Sequence, residues 1–289
     1  MFGKLIKHEF RATARIIPFV FLVTVFLALV HIVTGKLNLG AASRVSLVLM
    51  IIMSFAQIAI SFVLVIWRYD KNLYSNEAYL THSLPVHPSE LLWSKCIVGF
   101  VWVALSYIVG AAVFAGVMIA DFVKSADQLS AIFKGFQALL AQTGLEDHQG
   151  ILWAVIAVLL ALSIGMLLAQ AYFAITAGNL SKLHKLGVGG PLLVFFAEYI
   201  VLQFVGAFAT LFIPLGLRVS AAGNALPEFK LVTQNMFSQI SKTIYQSGLT
   251  GMGSEAGIIG IGYYILMPVI VIGLLYWTSR IITRHTSVK

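Results

Sequence analysis

A chain of 289 residues that is 60% hydrophobic, 10% charged and +0.94 in mean hydropathy cannot cover a water-facing surface, since soluble domains carry roughly 25% charged residues. It belongs with the helical membrane proteins. Its long, continuous apolar runs exclude a transmembrane β-barrel, which would alternate in segments of about ten residues.

The first element in chain order is FGKLIKHEFRATAR, residues 2–15. Lys4, His8, Arg11 and Arg15 recur at helical spacing, and Phe2, Leu5, Ile6 and Phe10 occupy another face. The pattern predicts a basic amphipathic helix on an anionic cytoplasmic leaflet. Plain positive charge flanking a span would place the same cations there. Six apolar runs follow, at 16–33, 45–67, 96–119, 151–174, 191–214 and 258–277, each near the roughly 20 residues that cross a bilayer as a helix. The first is long for the apolar region of a signal peptide. The single cysteine, Cys96, excludes an intrachain disulfide and reads as a small buried hydrophobe.

Between the second and third runs lies NEAYLTHSLPVHPSELLWSKC, residues 76–96. Asn76 can cap a helix, and Glu77 suits its positive end. Leu80 and Leu84 share a face, flanked by Tyr79 and Ser83. Pro85 ends the helix, Pro88 and Ser89 allow a restart, and Glu90 falls in the new first turn. The segment predicts a short surface helix offering Tyr79, Leu80 and Leu84 either to the bilayer or to a groove in a partner.

Two longer connections follow. Segment 121–150 places Leu129, Ile132, Phe133, Phe136, Leu139 and Leu140 on one helical face, and segment 215–257 does the same with Phe229, Met236, Phe237, Ile240 and Ile244. Both predict amphipathic or re-entrant helices near the outer leaflet. One acid lies within a span: Glu198, seven residues past Pro191 and so about 10 Å along a helix. Ionisable groups at that depth are costly and face a protein interior or a cavity. Gln203 and Gln170 are the span amides that could accompany it on a translocation path; Gln57 is another amide in a span. A hydrogen bond from Gln170 or to a backbone carbonyl, or a carboxyl reaching for the surface, is the structural alternative.

Six spans put both termini on one side, and the basic residues choose it. Twelve of the 19 Lys and Arg fall on the side of the termini, among them Lys4, Lys7, Arg11, Arg15, Arg68, Lys71, Lys95, Arg280 and Arg284. Both termini and the loop at 76–87 are therefore expected in the cytoplasm. The net charge of +8 expresses this orientation, and no nucleic-acid partner is expected.

Recognisable catalytic chemistry is missing. The chain has no G-x-x-x-x-G-K-[ST], H-E-x-x-H, C-x-x-C or G-x-S-x-G, and its seven histidines are scattered. No metal and no cofactor is expected on it.

The stretch RYDKNLYSNEAYLTHSLPVHPSELLWSKCIVGFVW resembles the loop of ABC-2 type transporter permeases, carried by Glu77, Ala78, Tyr79, Leu80, Ser83, Leu84, Pro85 and Val86, then Glu90, Leu91, Leu92, Ser94 and Lys95. Ala78 stands where many relatives have Gly. The resemblance implies an all-α membrane protein: a single permease domain over 1–289, with an interfacial helix at 1–15, six spans within 16–277, a coupling helix at 76–87 and a cytoplasmic tail at 278–289. It implies that Glu77, Tyr79, Leu80, Ser83, Leu84 and Pro85 contact a separate ABC ATP-binding subunit, which holds ATP and Mg. It further implies a second permease subunit, identical or related, and export of a peptide, drug or lipid-like substrate from a bacterial cytoplasmic membrane, with no catalysis on this chain. An antimicrobial peptide would suit the outer amphipathic segments and Glu198. The alternative is a secondary transporter or channel not driven by ATP, which would show inverted repeats and charges within broken spans.

Overall fold

The computed structural model describes residues 2–75, 78, 86–122, 128, 130–132, 134–135, 137–138, 149–180, 183–220, 228–250 and 256–285. The elements in order are α1 (Phe2–Thr13), α2 (Ile17–Lys36), α3 (Gly40–Tyr74), α4 (Pro88–Phe122), α5 (Gln149–Gly178), α6 (Gly189–Phe212), β1 (Gly216–Ser220), β2 (Glu228–Val232), α7 (Met236–Thr250), β3 (Ala256–Gly260) and α8 (Gly262–His285). Among the described residues six helices, α2 to α6 and α8, are long and apolar enough to cross a membrane. Each contains most of one predicted apolar run. In lipid a segment must satisfy its own backbone, which is why such runs become uninterrupted helices.

The helix ends differ from the limits of the apolar runs. α4 starts at Pro88 rather than at residue 96, because SELLWSK continues the helix without a breaker; the His87 carbonyl accepts from the Glu90 N–H at 2.9 Å, and Glu90 sits in the first turn. α3 and α4 reach 35 residues each, about 52 Å, against roughly 30 Å of hydrocarbon.

The helices form two groups. α2, α3 and α4 pack together with α1 against α4; α5, α6 and α8 form the other group, which meets the first along α3 and α4. The largest core cluster joins them through Ile17, Tyr69, Leu73, Leu92, Trp102, Tyr172, Ile175 and Ile282. These residues come from the start of α2 and α4 and from the finish of α3, α5 and α8. The cluster therefore marks one end of the bundle, where α1 and the close of α8 lie together.

The buried face of α3 is Ser46, Met50, Ser54, Gln57, Ser61, Val65, Tyr69 and Leu73, a repeat of three and four residues. Small and polar side chains there let backbones approach, as membrane helix interfaces require. Gly99 of α4 depends on that closeness: a Cβ at this position would lie 2.7 Å from Val65 Cγ1 and 2.8 Å from the Tyr172 hydroxyl.

At the opposite end the chain is not all helix. β1 is the centre of a three-stranded antiparallel sheet, pairing Gly216 with Val232 and Ser220 with Glu228 on one side, and Gly216 with Gly260 and Ser220 with Ala256 on the other. This corrects the expectation of an all-α fold with one helix over the apolar positions of 215–257. Met236, Phe237, Ile240 and Ile244 do lie on α7, but Phe229 lies on β2. The period changes within the segment: Glu228-Phe229-Lys230-Leu231 and Leu217-Arg218-Val219-Ser220 alternate apolar with polar, the strand pattern. Residues 258–260 likewise belong to β3, and the last span starts at Gly262. A side chain at Gly260 would collide with the Thr210 carbonyl, so at this residue the strand backbone lies close against α6. In segment 121–150, Ile132 is helical and 56% exposed; Leu129, Phe133, Phe136, Leu139 and Leu140 lie outside the described residues.

Candidate functional site

The partner-contact residues expected from the sequence, Glu77, Tyr79, Leu80, Ser83, Leu84 and Pro85, lie outside the described residues. The two roots of that loop are described. α3 ends at Tyr74, the Ala78 N–H donates to the Ser75 carbonyl at 2.8 Å, and α4 begins at Pro88. Both roots are tied to α1 by one carboxylate.

That carboxylate is Glu9. On α1 the residues Phe2, Leu5, Ile6 and Glu9 are half-buried and Thr13 is buried, while Lys4, Lys7, His8 and Arg11 are exposed. Glu9 is thus the acid on the inward face. Its Oε2 accepts from Arg68 Nε at 2.8 Å and its Oε1 from Lys95 Nζ at 2.8 Å, with Asn72 Nδ2 at 3.4 Å from Oε1. Arg68 and Asn72 stand two turns and less from the end of α3; Lys95 stands two turns into α4. The side chains of Glu9 and Lys95 are 12% and 4% exposed. Burial would push the Glu9 carboxyl up, but Lys95 and then Arg68 outweigh it and hold the carboxyl below its ordinary value of 4.5.

Aromatic contacts complete the joint. Trp102 Nε1 donates to Thr13 Oγ1 at 2.7 Å, and Phe10 stacks on the Trp102 ring at 4.8 Å. Tyr172 stacks on Tyr69 at 4.2 Å and donates to the Lys95 carbonyl at 3.2 Å. Thr176 Oγ1 lies 2.8 Å from the Tyr69 hydroxyl and accepts from Tyr74 at 3.1 Å, and Asn179 Nδ2 donates to Asp70 Oδ1 at 3.2 Å. The loop roots are therefore locked to α1 on one side and α5 on the other. The cluster is a charged staple between helices.

Sequence reasoning placed Lys95 and Arg68 as orienting charges and missed their partner. The signal was present: Glu9 continues Phe2, Leu5 and Ile6 on the apolar face of α1 at steps of three and four.

Glu198 lies on α6 as expected in a span. Both its carboxylate oxygens are enclosed and make no hydrogen bond. Among the described residues the alternative of a bond to Gln170 or to a backbone carbonyl is not realised. Gln170 is half-buried on α5 and Gln203 exposed on α6. α5 and α6 pack antiparallel after a turn in which Gly190 leaves no room for a side chain beneath the Gly178 carbonyl. Glu198 and Gln170 therefore share a depth, about 10 Å from that turn. α6 is also the least covered span: 6% of its apolar window is buried, against 17–33% for the others.

A second polar cluster at the sheet end was not foreseen. Buried His31 on α2 places Nε2 2.9 Å from Asp121 Oδ2 of α4 and Nδ1 3.2 Å from Ser46 Oγ of α3, with Thr34 Oγ1 3.0 Å from the same hydroxyl. It ties the far ends of these helices together as Glu9 ties the near ones. Among the described residues no three metal-ligating side chains come together. No family model, no curated protein and no solved structure matches this chain.

Proposed function

We propose that the chain is the transmembrane subunit of an ATP-driven exporter of the ABC-2 type, with no catalysis of its own. The observation that carries this reading is the Glu9 staple. A loop whose motif resembles the coupling segment of such permeases leaves the membrane between Arg68 and Lys95, and both cations close on one buried carboxylate. A displacement of the loop by a partner would then move α1, α3 and α4 together. In this reading Glu77, Tyr79, Leu80, Ser83, Leu84 and Pro85 dock on an ATP-binding subunit that carries ATP and Mg, and α1 lies on the cytoplasmic leaflet of a bacterial membrane. The poorly covered α6 faces lipid and a second permease subunit, with Glu198, Gln203 and Gln170 beside the path of a peptide, drug or lipid-like cargo.

The test is co-purification in mild detergent. An ATPase subunit should accompany the intact chain and be lost on Leu80→Asp with Leu84→Asp, while the permease still accumulates in the membrane. A partner-free chain, or a double variant that still assembles an active complex, would refute the reading. The unpartnered Glu198 carboxylate favours a second reading, a transporter driven by an ion gradient. Uptake in vesicles without ATP, abolished by Glu198→Gln, would establish it in place of the first.

A further inference from the structure

The last two turns of α8 carry a shallow, open groove of about 290 Å³ lined by Tyr276, Ser279, Arg280, Thr283 and Arg284. These positions form one helical stripe. The opposite stripe, Leu274, Thr278 and Ile282, is buried in the bundle at 8%, 0% and 0% exposure. Both arginines are exposed, and among the described residues neither meets a carboxylate. Of the described acids at this end, Glu9 is engaged with Arg68 and Lys95 and Asp70 with Asn179, and Glu90 sits in the first turn of α4. The stripe thus presents two guanidinium groups outward, where an anion from outside the chain can neutralise them.

Its depth identifies the source. Tyr276 and Trp277 are each 60% exposed, and Trp67 on α3 and Trp93 on α4 are 55% and 48% exposed at the same end of the bundle. Exposed aromatic rings at helix ends mark the boundary between hydrocarbon and headgroups. Arg280 follows Tyr276 by one turn, about 6 Å, which is within the headgroup layer, and the long side chain of Arg284, one turn further on, can reach back to the same depth. We propose that this groove binds the phosphate of an anionic phospholipid. The guanidinium forks of Arg280 and Arg284 take the phosphate oxygens in paired bonds, and the hydroxyls of Tyr276, Ser279 and Thr283 line the space that the glycerol part of the headgroup enters. The site needs only that the bundle spans a membrane, not that the chain is a permease.

The experiment uses the full chain purified from nanodiscs of equal parts phosphatidylglycerol and phosphatidylcholine, with retained lipid read by native mass spectrometry. Phosphatidylglycerol should be kept in preference to phosphatidylcholine, and Arg280→Gln with Arg284→Gln should weaken its retention roughly tenfold or more, the loss expected for a charge-assisted bond. The wild-type preference needs no variant, and Arg280→Lys with Arg284→Lys, which keeps the charge but loses the fork, should fall between the two. Equal retention of both lipids, or a glutamine variant that keeps phosphatidylglycerol, would overturn the site. Release of the lipid by inorganic phosphate alone would make it a free-phosphate site and overturn the lipid assignment. So would a glutamine variant that keeps its lipid but sheds a co-purifying acidic protein.

Discussion

Glu9 is the residue on which most depends. Its carboxylate serves Lys95 and Arg68 at once, and Lys95 is almost wholly enclosed. Removing one partner of a buried pair leaves the other charge without its counterion, at a cost of about 3–5 kcal/mol, whereas replacing both by apolar groups of similar volume is often neutral. Glu9→Ala should therefore destabilise the chain by up to that amount in thermal unfolding in detergent, and Glu9→Leu combined with Lys95→Met should recover the part owed to Lys95, since Arg68, 26% exposed, keeps access to water. A double variant no better than the single would show that Lys95 is held by something else. The same carboxylate sets a dependence on pH. Held below its ordinary value of 4.5, it binds fewer protons folded than unfolded. Its contribution is complete above that value and is lost as the pH falls through the lowered one. Hydrogen exchange of residues 2–13, corrected for its intrinsic pH dependence, should stay protected near neutrality and rise only well into acid.

Among the elements, α3 and α4 show how closely two spans are fitted. Gly99 sits against Val65 and Tyr172 with no space for a methyl group, whereas Gly116 of the same helix has nothing within 4 Å. Gly99→Ala should cost about 1–3 kcal/mol by overpacking. Gly116→Ala should instead be neutral or gain roughly 0.5–1 kcal/mol, as an exposed helical glycine does. Equal melting temperatures for the two variants would mean that α3 and α4 stand further apart than described. At this scale the sequence is legible where one period runs unbroken. The six spans follow from apolar length alone, and Pro88 with Glu90 marks the start of α4. Segment 215–257 reads poorly because its apolar positions fit a helix at long range while its neighbours alternate. Phe229 and Met236 are seven apart, which suits a helix, yet Phe229 stands between Glu228 and Lys230, which suits a strand. Pairing with β1 decides it, and that contact is not local. The Glu9 site is hidden for the same reason: half of it lies 59 residues away on α3 and half 86 away on α4.

For the whole molecule, the distribution of Lys and Arg makes a statement that neither residues nor elements make. If the α1 end is cytoplasmic, α7 and the sheet lie on the far side. In a Cys96→Ala background, a membrane-impermeant maleimide applied to intact cells should label Ser241→Cys, exposed on α7, and should label Lys7→Cys, exposed on α1, only after the membrane is opened. The reverse pattern would invert the molecule and, with it, the side from which a partner could reach the loop.

The overhang of α3 and α4 sets how such a partner would arrive. Seven residues separate Trp67 from Tyr74 and five separate Pro88 from Trp93, so the two roots of the loop stand roughly 10 and 8 Å past the aromatic ring. The headgroup layer on one face is only about 5–8 Å deep. The crossing helices thus end on a pedestal rather than at the waterline. A bulky soluble protein can settle on them without displacing lipid, and an antibody fragment raised against residues 75–88 should find its target on a sealed membrane from that side alone.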